Sequence, residues 1–151
     1  MGLDNSLELS TDMTPEQALH LMAEWFEFKW GDDKHLIGPA LSISAIEPGQ
    51  GWKSIIQEGF HFSPDLSVGF RLDPNSNDYE EGNRVMLRAT MLLLEHGRDG
   101  VLLFNGEQIT LQRIAGRLVL NADSRNWTDG LQLENEIRLP HEKRSLPSPL
   151  L

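Results

Sequence analysis

The strongest constraint on the fold is the stretch VLLFNGEQITLQR, residues 101–113, in which an Asn-Gly pair separates two apolar-rich runs. The runs Gly100–Phe104 and Glu107–Arg113 are each typical of a β-strand. Asn105 and Gly106 between them predict a type I′ turn, because both central residues of that turn take positive φ angles. A two-residue turn gives three cross-strand pairs: Phe104 with Glu107, Leu103 with Gln108, and Leu102 with Ile109.

A second turn, predicted at Ala115 and Gly116, leads into the strand pattern Arg117–Asn121 and completes a three-stranded meander. Alternation of apolar and polar residues predicts further strands nearer the N-terminus. These earlier strands are expected at Ser6–Ser10, Leu41–Ile46 and Leu66–Asp73.

The first helix has a clear start signal. Thr14 and Gln17 form a capping-box pattern, and Pro15 suits the first helical position. Gly31–Lys34 is expected to end the helix. Spacings of three and four residues place four side chains on one apolar face that includes a tryptophan: Ala18, Leu21, Met22 and Trp25.

A longer helix follows the acidic loop DPNSND, residues 73–78. Asp78 and Glu81 have the spacing of a second capping box, and Gly97 is a natural stop. Residues 52–59 favour a short helix as well. We therefore predict an α+β fold with an antiparallel sheet of about five strands and two main helices packed on one face. Residues 1–130 form the predicted single domain, and residues 131–151 an irregular C-terminal extension.

The amino-acid composition excludes several classes of function. The 151 residues carry a formal net charge of −10 and no cysteine, so a disulfide, a thiol nucleophile and a thiolate metal site are excluded. An acidic surface repels nucleic acids and anionic lipid but attracts a basic protein partner. The alternative is that the acidity only maintains solubility. Neither a secretory signal nor a run of about 20 apolar residues is present, which predicts a cytoplasmic protein without a membrane partner.

Four carboxylates in and beside the acidic loop are candidates for a binding site: Asp73, Asp78, Glu80 and Glu81. The loop begins like a calcium loop but lacks the glycine at the sixth place and the glutamate at the twelfth. Carboxylates also suit a helix N-terminus, and Glu80 can pair with Arg84, so a structural role and a landing site for a cationic partner both remain open. Trp127 is another candidate contact, either packed on the core or exposed for a partner.

Catalytic machinery is not evident in the sequence. The histidines lack zinc-binding spacing, and no nucleophile elbow or phosphate loop occurs. No cofactor is expected, and a non-enzymatic binding protein is the preferred interpretation. An enzyme with dispersed residues is the least favoured alternative, for example His61 with Glu58 or Asp65.

The second half of the chain resembles a bacterial family. LSVGFRLDP, the acidic loop, RVMLRATMLLLEHGRDGVLLFNGEQITLQRIAGRLVLN and the final NW together resemble immunity proteins linked to the swarming-inhibition and toxin-exclusion (Sit) systems. The resemblance covers 66–127 and more faintly the first helix, but not the middle segment 31–62. The family has a characteristic pattern in its meander, and this chain matches it when one residue of difference in spacing is allowed. The matching residues are Asp99, Leu102, Asn105, Gly106, Leu111, Arg113, Gly116 and Leu118.

The resemblance implies a cytosolic inhibitor that neutralises a protein toxin by occlusion. Immunity proteins against basic toxins are commonly acidic, so the partner is expected to carry a basic surface. A homodimer is possible. The main alternative is an acidic secretion chaperone or adaptor, which would need an exposed apolar groove.

Overall fold

The computed structural model describes residues 3–127 and 133–150. Within these ranges the chain forms nine strands, three α-helices and two short 3-10 helices at 125–127 and 133–136. The helices are α1 (Pro15–Trp25), α2 (Gln50–Phe60) and α3 (Tyr79–Glu95). The strands are β1 (Leu3–Leu9), β2 (Lys29–Asp32), β3 (His35–Gly38), β4 (Leu41–Ile46), β5 (Leu66–Leu72), β6 (Gly100–Phe104), β7 (Gln108–Ile114), β8 (Arg117–Asn121) and β9 (Glu142–Arg144).

All nine described strands form one sheet in the order β2-β3-β4-β5-β1-β6-β7-β8-β9. Neighbouring strands are antiparallel except for β8 and β9, which are parallel. The predicted antiparallel sheet of about five strands is therefore wrong, because the sheet is larger and mixed. The strands that the sequence did not reveal are β2, β3 and β9, each of three or four residues. All four residues of β2 and all three of β9 are exposed, so neither strand shows apolar alternation.

The hairpin between β6 and β7 has the predicted turn but a different register. Asn105 and Gly106 have φ angles of 53° and 72°, and the backbone N–H of Glu107 donates to the carbonyl of Phe104 at 3.2 Å. The pairing is already shifted by one residue next to the turn, and an irregularity between Leu102 and Leu103 shifts it by one more. The observed pairs are Phe104 with Gln108, Leu103 with Ile109, and Leu102 with Leu111.

The two faces of the sheet explain this shift. Leu102 and Leu111 belong to the main core, beneath α1 and α3, whereas Leu103 and Ile109 contact a second cluster that includes residues of α2. The predicted pairing of Leu102 with Ile109 would set residues of the two layers opposite each other. Local turn chemistry determines the turn, but burial of the two faces determines the register.

Helices therefore cover both faces of the sheet rather than one. The main core combines the apolar sides of α1 and α3 with inward-facing residues of the central strands. The second cluster, on the opposite face, is formed by Ile56 and Phe60 of α2, Phe62, and residues of β6 and β7. The prediction of two main helices packed on one face is wrong, because α2 is a third helix and it packs on the face opposite α1 and α3.

The N-terminus of α1 follows the predicted pattern. The Thr14 side chain accepts the backbone N–H of Gln17 at 3.2 Å, and the Gln17 side chain accepts the backbone N–H of Thr14 at 2.9 Å. The apolar face is shorter than predicted. Trp25 is 67% exposed, because the helix ends there and Phe26 is already extended.

The start of α3 differs from the prediction at its cap. Asp78 occupies the N-cap position, but its side chain makes no capping hydrogen bond, so the predicted box with Glu81 is absent. A close backbone approach positions this helix end instead. A Cβ atom added at Gly82 would lie 2.5 Å from the carbonyl oxygen of Pro39. Only glycine allows the helix to pack so tightly on the chain that precedes β4.

The C-terminal segment packs onto the rest of the chain. Leu133 and Ile137 are buried in the main core, and β9 extends the sheet beside β8. Strand β9 lies within the segment 131–151, which the sequence predicts as a C-terminal extension that is irregular or a tail. The domain boundary predicted between residues 130 and 131 lies outside the described residues and stays a prediction. Among the described residues, no helix combines the length and apolar character needed to cross a bilayer.

Candidate functional site

The acidic loop connects the end of β5 to the start of α3 on the surface. Asp73 is exposed, and its carboxylate accepts the backbone N–H of Asn75 at 3.0 Å. Its own N–H donates to the carbonyl of Ala40 at 2.9 Å, which ties the loop to the start of β4. Asp78 at the other end of the loop is also exposed, and its N–H donates to Ser76 Oγ at 3.1 Å.

Glu80 and Glu81 lie on the first turn of α3 and are partly neutralised. Glu80 pairs with Arg84 at 3.5 Å, as predicted, and Glu81 pairs with Arg84 at 3.5 Å and with Arg88 at 3.8 Å. Arg88 is held more firmly by Glu136, whose carboxylate it contacts at 2.8 Å. That hydrogen bond raises the pKa of the Arg88 guanidinium. Exposed ion pairs of this kind contribute little to stability, so a competing cation could exchange for the arginines.

Asp73 and Asp78 differ from these two glutamates. In the part of the chain that the structure describes, no basic side chain forms an ion pair with either aspartate. The four predicted carboxylates thus fall into two groups along one surface. Asp73 and Asp78 form no ion pair with the described residues, whereas Glu80 and Glu81 are already paired with arginines.

Trp127 is buried in the main core. Its indole N–H donates to the carbonyl of Asn121 at 2.9 Å, at the end of β8. The sequence left two roles open for this side chain, packing on the core or exposure for a partner. In the structure it is packed on the core. A buried ring offers no contact surface to a partner.

Among the described residues, neither a metal-binding cluster nor the dispersed enzyme site is brought together. Within residues 3–127 and 133–150 no cluster of three or more histidine, aspartate and glutamate side chains is placed to hold a metal ion. His61 caps α2 with a φ angle of 66°. Asp65 accepts the N–H of Thr11 at 3.0 Å and pairs with Arg98 at 3.5 Å. No hydrogen bond or ion pair joins His61 to Glu58 or Asp65 among the described contacts.

Sequence reasoning missed a buried carboxylate on the central strand β1. Glu8 is 1% exposed. Its Oε2 accepts the Ser67 hydroxyl at 3.0 Å, whereas Oε1 accepts no hydrogen bond from the described residues. Burial raises the pKa of Glu8, and contacts with the side chains of Trp52, Ser6 and Ser67 offset part of that rise. In the sequence, Glu8 is only a polar residue in an alternating strand pattern, and such residues normally face water.

Glu8 lies at the border of an uncovered part of the same sheet face. We name this part the open face. It consists of the outward residues of β3, β4 and β5, namely His35, Ile37, Ser42, Ser44, Ile46, Ser67, Gly69 and Arg71. Ile37 and Ile46 are 48% and 61% exposed. A cavity of about 460 Å³ lies at one end of the open face, where Ile37, Arg71 and Asp73 contribute to its lining. The acidic loop therefore adjoins the open face through Asp73.

A family comparison covers this whole region. The model of the family described as SitI3-like matches residues 3–131. The match includes Glu8, the open face, the acidic loop and the meander, and it also spans the middle segment 31–62, for which the sequence resemblance had no counterpart. No curated protein and no solved structure matches the chain.

Proposed function

The chain belongs to the SitI3-like family, and from this membership we propose that it is an immunity protein that neutralises a protein toxin by occluding it. The family name and the resemblance of residues 66–127 to Sit-type immunity proteins support the proposal. The proposed setting is the cytoplasm of a bacterial cell, and the mechanism is stoichiometric binding without a cofactor. The partner is a toxin with a basic surface.

One observation carries the electrostatic part of this proposal. Asp73 and Asp78 are exposed carboxylates that form no ion pair with the described residues, on a chain of net charge −10. Such groups attract a basic protein over distances of about 10 Å at moderate salt and accelerate its association. Glu80 and Glu81 would join the contact by exchanging their arginine partners for basic side chains of the toxin.

The experiment starts from the organism that encodes the chain. The tagged protein is used to capture binding partners, which are identified by mass spectrometry and purified. An immunity function predicts a partner that arrests growth when expressed alone in a heterologous bacterial host. Co-expression of the present chain should restore growth, and the two proteins should form a complex of fixed stoichiometry. A captured partner that is harmless would contradict the immunity function.

The contribution of the aspartates is tested with the purified partner. The double variant Asp73→Asn, Asp78→Asn removes two charges but keeps the side-chain sizes, and the amide oxygen at position 73 can still accept the N–H of Asn75. We expect its association rate to fall by about threefold to tenfold with little change in the dissociation rate. Glu95→Gln, at the exposed far end of α3, is the matched control. Equal association rates for all three proteins would remove the acidic loop from the interface.

The secretion-chaperone alternative is favoured by the exposed isoleucines of the open face. A chaperone would hold its partner in a partly unfolded form and would be expected to form a stable dimer. Light scattering of the free chain and circular dichroism of the bound partner distinguish the two functions. A monomer that binds a fully folded toxin would exclude the chaperone role.

A further inference from the structure

The open face is built so that another surface can approach it closely. The β4–β5 register sets Ser44 opposite Gly69 and Ile46 opposite Ser67. Three serines and a glycine therefore occupy its middle, while Ile37 and Ile46 supply exposed apolar area at its margins. Small side chains leave the sheet flat, and their hydroxyl groups can donate or accept hydrogen bonds. Exposed apolar side chains at the margins are typical of a contact surface.

The buried carboxylate continues this surface. Ser67 lies opposite Ile46 on one side and opposite Glu8 on the other. The Ser67 hydroxyl donates to Oε2 of Glu8, so it links the open face directly to the carboxylate. Oε1 of Glu8 accepts no well-formed hydrogen bond from the described residues, although the side chains of Trp52 and Ser6 lie close enough to the carboxylate to lower its pKa. A buried acceptor without a donor is costly, and a cationic donor satisfies it best because the hydrogen bond is charge-assisted.

Glu8 itself is 1% exposed, and no basic side chain of the described residues pairs with it. Of the two basic side chains on the open face, Arg71 pairs at 3.9 Å with Asp4, its register neighbour, and His35 lies 2.9 Å from the carboxylate of Asp32. Arg71 lies four positions along β5 from Ser67, and no ion pair joins it to Glu8 in the described structure. Trp52 of α2 packs beside Glu8 but is only partly buried. Gly49 and Gly51 precede Trp52. A Cβ atom added at either glycine would have no neighbouring atom within 4 Å.

We propose that the open face is the docking surface for the partner protein, and that an arginine or lysine side chain of the partner enters beside Ser67 and pairs with Glu8. The Trp52 indole turns aside to admit the cation. This inference rests on the proposed function, which it deepens by naming the surface and the central contact. The interface then runs from the acidic loop at Asp73 across the open face to Glu8.

The test measures the dissociation constant of the purified toxin, identified as described above, for matched variants of the full chain. Glu8→Gln removes the charge but keeps the side-chain size, and we expect binding to weaken by about tenfold or more. Ser44→Arg places a bulky cation in the middle of the open face and should weaken binding at least as much. Asn135→Arg adds the same charge at an exposed position of the 3-10 helix 133–136, which packs near α3. It should stay within about twofold of the unmodified chain.

Thermal unfolding of each variant separates lost contacts from lost folding. Should Ser44→Arg unfold, Ile46→Arg replaces it, because that side chain is already exposed. The inference is overturned when Glu8→Gln and the folded open-face variant bind as tightly as the unmodified chain. If Asp73→Asn, Asp78→Asn still weakens binding in that case, the proposed function stands and only the docking surface is wrong. If the unmodified chain captures no toxin, the proposed function fails and the inference fails with it.

Discussion

At the scale of single residues, the position of Glu8 has a consequence for folding that is independent of any partner. Desolvation raises the pKa of Glu8 in the folded protein above the ordinary value of 4.5, so the folded state binds the proton more tightly than the unfolded state does. The contribution of this group to stability is therefore complete below about pH 4.5. It is lost as the pH rises through the folded-state pKa.

Glu8→Gln should therefore change stability in a pH-dependent way. The neutral amide avoids the buried charge, so the variant should gain free energy of unfolding relative to the unmodified chain, by more at pH 7 than at pH 4. The expected gain at pH 7 is on the order of 1 kcal/mol. Urea unfolding at the two pH values measures it. Glu107→Gln, at the exposed hairpin turn, is the control and should show no such difference. A loss of stability at both pH values would mean that the carboxylate is needed for folding.

At the scale of elements, the two helix starts give a matched comparison. Thr14 and Asp78 both occupy N-cap positions, but only Thr14 makes the side-chain hydrogen bond. Thr14→Ala should lower the free energy of unfolding by about 1 kcal/mol, whereas Asp78→Ala should change it by less than about 0.5 kcal/mol. Chemical denaturation of both variants under the same conditions measures the difference. Equal losses would show that Asp78 also caps its helix.

The same contrast shows which elements the sequence can predict. The cap of α1, the bounds of β4 and the turn at Asn105 depend on residues close together in the chain, and local rules predicted them. The register at Leu102 depends on which face each residue buries, and that requires the position of α2. The short strand β2 lies where only the end of α1 was expected, because an exposed edge strand carries no apolar pattern.

The candidate site follows a similar division. The sequence identifies Asp73 and Asp78 as exposed carboxylates, since a polar loop before a helix is almost always at the surface. It does not identify Glu8, because burial of an alternating polar position depends on a helix that arrives from elsewhere in the chain. The open face was equally invisible. Ser44 and Ser67 are ordinary polar strand residues until the sheet order makes them neighbours of Glu8.

At the scale of the whole molecule, the C-terminal segment tests how far the cooperative unit extends. Ile137 is 5% exposed in the main core, beyond the predicted domain boundary at residue 130. Ile137→Ala should lower the free energy of unfolding by about 2–4 kcal/mol. Arg138→Ala, at the exposed neighbouring position, should change it by less than about 0.5 kcal/mol. If both variants unfold like the unmodified chain, residues 131–151 are an extension that the domain does not need.

The net charge of −10 has two possible meanings at this scale, and salt separates them. If the acidity guides a basic toxin to the acidic loop and the open face, screening should slow association. The association rate should fall by about tenfold or more between about 20 mM and 500 mM NaCl, while the dissociation rate changes far less. Stopped-flow mixing with the purified toxin measures both rates.

The Asp73→Asn, Asp78→Asn variant refines this measurement. Since its loop carries two fewer charges, its association rate should depend less steeply on salt, whereas the Glu95→Gln control should follow the unmodified chain closely. An association rate that does not respond to salt in any of the three proteins would mean that the acidity serves solubility alone. Affinity would then come from the open face, where Ile37, Ile46 and the serines make contacts that salt does not screen.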